Sequence, residues 1–413
     1  MLDRGRRARI AASQVREAGP GARTQGLIAM AQVLREATSA ILTANARDIR
    51  RGQAAGLTDG LLDRLRLDEA RIQAMAQAVA EVAARSDPVG RELARWQRPN
   101  GLDIARVATP IGVLAIIYES RPNVTADAAA LCLRAGNACI LRCGSDCLDS
   151  SLAIHAALVM GLNAAGLPAD AVQLIDTPDR AAVGDLLTGL EGTIDLLIPR
   201  GGKSLVARVQ AEARVPVLGH LEGLCHTYLD GAADPTMALS VIRNAKLRRV
   251  SICGATETLL VDRRVAASLL PSIAQALMAE GCELRGDPDA VALVPGIRAA
   301  NEEDWTTEYL APILAVGLVE GVPGAIAHIA RYGSGHTEAI VTEDPAAAEA
   351  FLNGVDSAIV MWNASTQFAD GGEFGFGGEI GISTARLHAR GPVGADQLTS
   401  YKYVVRGTGQ VRP

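Results

Sequence analysis

Cys253 stands in SICGATETLLV (251–261), just ahead of an apolar run of strand length. Upstream, NAKLRR (244–249) places three cations in four positions. Positive charge near a thiol favours the thiolate, and Gly254 lets a ligand approach the backbone closely. A thiolate in an open, electropositive loop is a nucleophile for a carbonyl carbon; the competing reading is a buried structural cysteine, the usual fate of that residue. Attack on an acyl group creates an oxyanion that fixed donors must meet. Asn123, in IIYESRPNVT (116–125), follows an apolar run and Pro122, which puts its amide at a strand's carboxyl end; it is also suited to cap a helix beginning at Val124. IDLLIPRGGKS (194–204) reads as strand, Gly201-Gly202, helix. Such a turn lets a phosphate or cofactor reach the amino end of a helix, but it is not G-x-G-x-x-G, and a plain tight turn reads the same way.

Other chemistries find little support. His220, His226, His328, His336 and His388 show no H-E-x-x-H spacing, which argues against metal catalysis, and no G-x-S-x-G marks a serine hydrolase. Four of the seven cysteines crowd into 132–147 without a C-x2-C pair. They read as small buried thiols in a reducing cytoplasm, not as a disulfide framework or a structural zinc site. The net charge of −6 gives no basic field for nucleic acid. No apolar run approaches the roughly 18–20 residues of a membrane span. Lysine occurs only at Lys203, Lys246 and Lys402, so each either marks a need for a compact ammonium or is a chance survivor of an arginine-biased composition.

A chain of 413 residues implies two or more domains. Residues 1–85 carry apolar residues at helical spacing, as in Leu27, Met30, Ala31 and Leu34, and 96–110 reads as a hairpin. From 111, apolar strands at 111–118, 138–142, 172–175, 194–198 and 215–218 alternate with helices at 124–135 and 149–164. A second series has helices at 235–247, 265–280, 322–331 and 345–353, and strands at 257–262, 291–294, 312–319, 338–342 and 357–362. The pattern is α/β with parallel sheets covered on both faces, which bind ligands beyond the carboxyl ends of their strands. DGGEFGFGGEIGIST (370–384) reads as a loop able to close a site, and TSYKYVV (399–405) as a terminal edge strand in need of a partner.

Several blocks, in order, resemble the gamma-glutamyl phosphate reductases (glutamate-5-semialdehyde dehydrogenases) of the aldehyde dehydrogenase superfamily: YESRPNVT, GNACILR, HLEGLCHTYLD (220–230), ETLLV, DWTTEYL (304–310), the glycine-rich segment, HARGP and SYKYVV. The resemblance implies an aldehyde dehydrogenase-like fold of two Rossmann-like domains with a small hairpin and C-terminal oligomerisation element. Residues 1–95 and 111–230 would bind cofactor, 231–365 would carry the nucleophile, 96–110 and 396–413 would be oligomerisation strands, and 366–395 a glycine-rich returning segment. It makes Cys253 the nucleophile and Asn123 an oxyanion donor beside the Cys253 backbone N–H. It places Arg142, Gly201, Gly202 and Glu308 against NADPH or NADP.

The implied reaction is reduction of L-glutamyl 5-phosphate to glutamate 5-semialdehyde through a Cys253 thioester, with loss of phosphate, in proline biosynthesis. Where hydrolytic relatives carry a water-activating glutamate, this chain has His220, with Glu222 two residues on. KLRRVSI before the nucleophile and Cys143-Gly144 after GNACILR depart from the family pattern. Arg121, Lys246 and Arg248 are candidate anion partners for the substrate. A homo-oligomer and transient contact with glutamate 5-kinase are further expectations. The alternatives are another thiol-dependent aldehyde dehydrogenase, forming an acid or acyl-CoA, and a non-catalytic nucleotide-binding protein.

Overall fold

Val113–Tyr118 and Ala138–Cys143 are buried at every position, so both faces of these strands must be covered. The computed structural model describes residues 1–412 and divides into two units. The first holds residues 1–219, 375–381 and 393–412. It opens with helices α1 (Leu2–Glu17), α2 (Gly19–Glu36), α3 (Thr38–Ala54), α4 (Asp59–Leu65) and α5 (Glu69–Ala84). The hairpin follows as β1 (Glu92–Gln97) and β2 (Asp103–Pro110), starting four residues earlier than the sequence pattern indicated. Then come β3 (Val113–Tyr118), α6 (Val124–Arg134), β4 (Ala138–Cys143), α7 (Leu148–Ala164), β5 (Val172–Leu174), α8 (Ala181–Leu187), β6 (Leu196–Arg200) and α9 (Lys203–Glu212). The expected strand at 215–218 is reduced to one bridge, Leu197 to Val217.

The four central strands are parallel in the order β5-β4-β3-β6. The chain builds outward from β3 through β4 to β5, then crosses to the other side of β3. The crevice of such a sheet opens where that direction reverses, beyond the carboxyl ends of β3 and β6. The C-terminal strand Thr399–Arg406 pairs antiparallel with β2 and forms one edge of a three-stranded sheet.

Helices α2 and α7 approach so closely that a Cβ on Gly161 would lie 2.6 Å from the Cα and N of Met30. Those are backbone atoms and cannot swing aside. Gly161→Ala is therefore expected to cost about 1–3 kcal/mol and lower Tm by several degrees in a thermal melt.

The second unit holds His220–Phe374 and Ile382–Pro392. The division falls at 219/220, not at 230/231, because Cys225–Leu229 is a strand of the second sheet. The order is β7 (Cys225–Leu229), α10 (Pro235–Leu247), β8 (Thr256–Asp262), α11 (Arg263–Ala279), β9 (Glu283–Gly286), α12 (Pro288–Leu293), β10 (Arg298–Ala299), β11 (Ile313–Val319), α13 (Gly321–Tyr332), β12 (Thr337–Val341), α14 (Pro345–Gly354) and β13 (Ile359–Trp362). All seven strands are parallel, ordered β10-β9-β11-β8-β7-β12-β13. The expected strand at 291–294 is mostly α12: Asp287 caps it by accepting the Ala290 N–H, and Pro288 sits at the first turn. The segment 366–395 does not return as one piece; 375–381 belongs to the first unit and 382–392 to the second. No single helix among the described residues is long and apolar enough to cross a membrane.

Candidate active site

In the second unit, three loops enter the amino ends of adjacent strands β8, β7 and β12. They carry Cys253, His220 and His336, whose sulfur and one ring nitrogen from each histidine lie within 4.8 Å of one another. The Cys253 loop leaves α10, and the Gln367 amide holds this exit by donating to the carbonyls of Ala245, in the last turn, and Arg249, just beyond it. Gly223 packs against the Cys253 backbone, and the Cys225 thiol donates to the Cys253 carbonyl at 3.0 Å. Burial pushes the Cys225 thiol well up, and the Glu338 carboxylate adds to this, so it remains a protonated donor. Cys253 itself is half-buried, while the other six cysteines are buried. No disulfide joins cysteines among the described residues.

His220 Nδ1 stands 2.6 Å from the Ile382 carbonyl, which accepts its proton and fixes the tautomer. His336 is fully buried, with Nδ1 at 2.9 Å from the Thr337 hydroxyl; burial and the neighbouring His220 hold it neutral. Glu308 accepts the Gly223 N–H at 3.0 Å, which brings it into the same loop cluster. The cation run at 246–249 is split by the fold. Lys246 is fully buried and donates to Glu257 at 2.5 Å, where burial raises the carboxyl to about 7. It is therefore committed inside the unit and is not an open anion partner. Arg248 is exposed and donates to Gln367 at 3.3 Å.

In the first unit, the residues after β3 and β6 meet at the switch point. Tyr118 pairs with Arg200, and the Glu119 N–H donates to the Arg200 carbonyl. Asn123 begins α6 with helical dihedrals and caps no backbone group. Its amide instead donates to Asp127 at 2.8 Å, which sets aside the helix-cap reading and leaves the second amide N–H for another acceptor. Arg121 is half-buried in the same turn. Gly202 caps α9, and its N–H reaches the Glu119 carboxylate at 3.3 Å; a Cβ on Gly201 would lie 2.5 Å from that carboxylate. Arg142, at the end of β4, is buried, donates to the Pro178 carbonyl at 3.2 Å and keeps Nε without a partner. An exposed glycine turn at the amino end of α9 is a place that a dinucleotide pyrophosphate can approach; the Glu119 carboxylate lies over it, and the under-satisfied Arg142 guanidinium stands on β4, with β3 between.

Burial raises the Asp127 carboxyl to about 6, against the pull of Asn123 and Arg200. The folded chain thus keeps a proton that the unfolded chain loses near pH 4. The resulting stabilisation is complete below about pH 4 and is lost as pH rises through 6. Asp127→Asn keeps the acceptor and removes the titration. Its Tm advantage over the native chain is expected to grow from pH 4 to 6 and then level off; a constant or shrinking advantage in parallel melts would contradict this.

His336, Gly223, Asp127 and Glu119 were not singled out from sequence for any role here. Only the glycine inside HLEGLCH carried a local signal, since a loop glycine often marks close backbone approach.

Residues 5–304 match the model of the aldehyde dehydrogenase family. A gamma-glutamyl phosphate reductase from Caulobacter vibrioides is 66% identical over 413 residues, covering all of both chains. The crystal structure of gamma-glutamyl phosphate reductase from Thermotoga maritima is 43% identical with a TM-score of 0.97, covering 100% of this chain and 99% of that one. An engineered glycolyl-CoA reductase with bound NADP+ shares the fold at a TM-score of 0.70 and 16% identity, over 98% of this chain and 96% of that one.

Proposed function

The chain belongs to the aldehyde dehydrogenase family and, within it, to the gamma-glutamyl phosphate reductases, oxidoreductases of proline biosynthesis, and from that premise we propose that it reduces L-glutamyl 5-phosphate to L-glutamate 5-semialdehyde with NADPH, through a thioester on Cys253. The observation that carries the reading is the half-buried Cys253 thiol set among two imidazoles. His220, its Nδ1 proton given to Ile382, offers the other ring nitrogen as a base for the thiol proton. The thiolate attacks the acyl carbon, and the carbonyl electron pair moves onto oxygen. The Cys253 backbone N–H is a proposed donor to that oxyanion, and Asn123, whose amide Asp127 holds in orientation, is proposed as the family's oxyanion asparagine. Collapse expels phosphate and leaves the thioester.

NADPH, when bound, supplies hydride to the thioester carbon, and Gly201, Gly202, Arg142 and Glu308 are the residues proposed to hold it. An imidazole at position 220 in place of a water-activating carboxylate suits an acyl group that must survive until reduction. Arg121 and Arg248 remain proposed partners for the substrate's anionic groups. The outer edge of Thr399–Arg406, with Tyr401 and Tyr403 exposed, is the proposed seat of a homo-oligomer. Brief contact with glutamate 5-kinase would shorten the transit of a labile acyl phosphate.

The reverse reaction tests the chemistry. With glutamate 5-semialdehyde and NADP, NADPH formation is expected to require inorganic phosphate, because phosphate must discharge the thioester. Oxidation that proceeds equally without phosphate would favour an acid-forming dehydrogenase instead.

A further inference from the structure

We infer that Cys253, His220 and His336 form a binding site for a thiophilic divalent cation, with Zn2+ the best fit, and that its occupancy silences the nucleophile. One sulfur and two imidazoles make a mixed S/N set that suits zinc and leaves a fourth position open. In tetrahedral zinc, bonds of about 2.0–2.3 Å put ligand atoms roughly 3.4–3.6 Å apart. The observed spread of up to 4.8 Å needs a closure of little more than an ångström. Cys253 and His220 are half-buried on loops and can supply that movement by side-chain rotation.

Both histidines are already prepared as ligands. The Ile382 carbonyl fixes the tautomer of His220 from behind, as the outer partners of metal-bound histidines do. His336 is fully buried, keeps Nδ1 near the Thr337 hydroxyl and has no hydrogen-bond partner at Nε2. A buried polar atom without a partner calls for an explanation, and a neutral imidazole is the form a metal binds. The site escapes motif reading because its ligands come from three loops at neighbouring strand ends, with no regular spacing along the chain. On binding, the thiol proton leaves to solvent as the Zn–S bond forms, and no oxidation state changes. The sulfur lone pair is then committed to the metal and unavailable to a carbonyl carbon.

The inference goes beyond the proposed reduction, and its first readout is independent of activity. Co2+ titrated into the full chain is expected to bind with one equivalent showing near-ultraviolet thiolate-to-cobalt absorption, displaced by Zn2+. Cys253→Ser should abolish that absorption. His220→Gln and His336→Gln should each weaken cobalt binding by at least about tenfold. Should the buried His336 variant fail to fold, the half-buried His220 variant still decides. Absorption that is absent, that survives Cys253→Ser, or that titrates unchanged in His220→Gln would overturn the site. With the site established, stoichiometric Zn2+ should inhibit turnover and a chelator should restore it; full activity with the site filled would overturn the silencing. A chain inactive as a reductase would still report its cobalt, so the two ideas fail separately.

Discussion

Cys253→Ala is expected to reduce turnover in both directions by at least about 10^4-fold while leaving the fold and NADP(H) binding in place. The variant removes the only proposed route from acyl phosphate to a reducible thioester. Neither of the unit's other two thiols can replace it. Cys225 is buried, commits its proton to the carbonyl of residue 253, and is held protonated by burial and nearby carboxylates. Burial likewise pushes the Cys282 thiol up to about 11. Incubating the native chain with acyl phosphate and no NADPH should leave a glutamyl mass on the peptide that spans residue 253, and the alanine variant should show none. Retained activity in Cys253→Ala would refute covalent catalysis at this residue.

How much was legible depended on where the information lies. Strands β3 and β4 are apolar at every position, so their runs identify them without ambiguity. Strand β7, CHTYL, is also fully buried, yet it holds His226 and Thr227. Their side chains pair across the sheet: His226 Nδ1 lies 2.8 Å from the Glu338 carboxylate, and Thr227 pairs with Thr256 at 2.7 Å. Burial by pairing leaves no hydrophobic trace in one strand, so β7 does not stand out as a strand in the sequence pattern. The apolar stretch 291–294 misled in the opposite sense, because the Asp287-Pro288 start signal outweighs local strand character.

The candidate site shows the same division. Cys253 and Asn123 sit in recognisable segments, and topology then places Asn123 with Gly201 and Gly202 at a carboxyl-end crevice as parallel-sheet rules require. The Cys253 cluster lies instead at the amino ends of its strands. His336 joins it only because β12 is neighbour to β7, an adjacency that no spacing along the chain encodes.

Gly223→Ala is expected to lower kcat by about 10^2-fold or more although residue 223 has no proposed chemical role. An added Cβ would lie 2.2 Å from the Cys253 carbonyl oxygen and 2.8 Å from its carbonyl carbon and Cα. All three are backbone atoms, so one loop must move. The residue 223 loop has little freedom, since Leu224 donates to Ser334 at 2.9 Å and Cys225 already pairs with Thr256 in the sheet. The nucleophile's loop therefore gives way, carrying its sulfur and backbone N–H out of register with the acyl carbon. Any recoil at 223 itself disturbs the hydrogen bond to Glu308, a residue proposed to hold the cofactor. Stability should fall by only about 1–3 kcal/mol, so turnover should drop far more than the folded population. Gly184→Ala provides the control, because nothing lies within 4 Å of an added Cβ at that position in α8. Comparing kcat and thermal midpoints for the two variants isolates the positional effect. Gly223→Ala turning over within a few-fold of the native rate would mean that the backbone of residue 253 need not be held where the structure puts it.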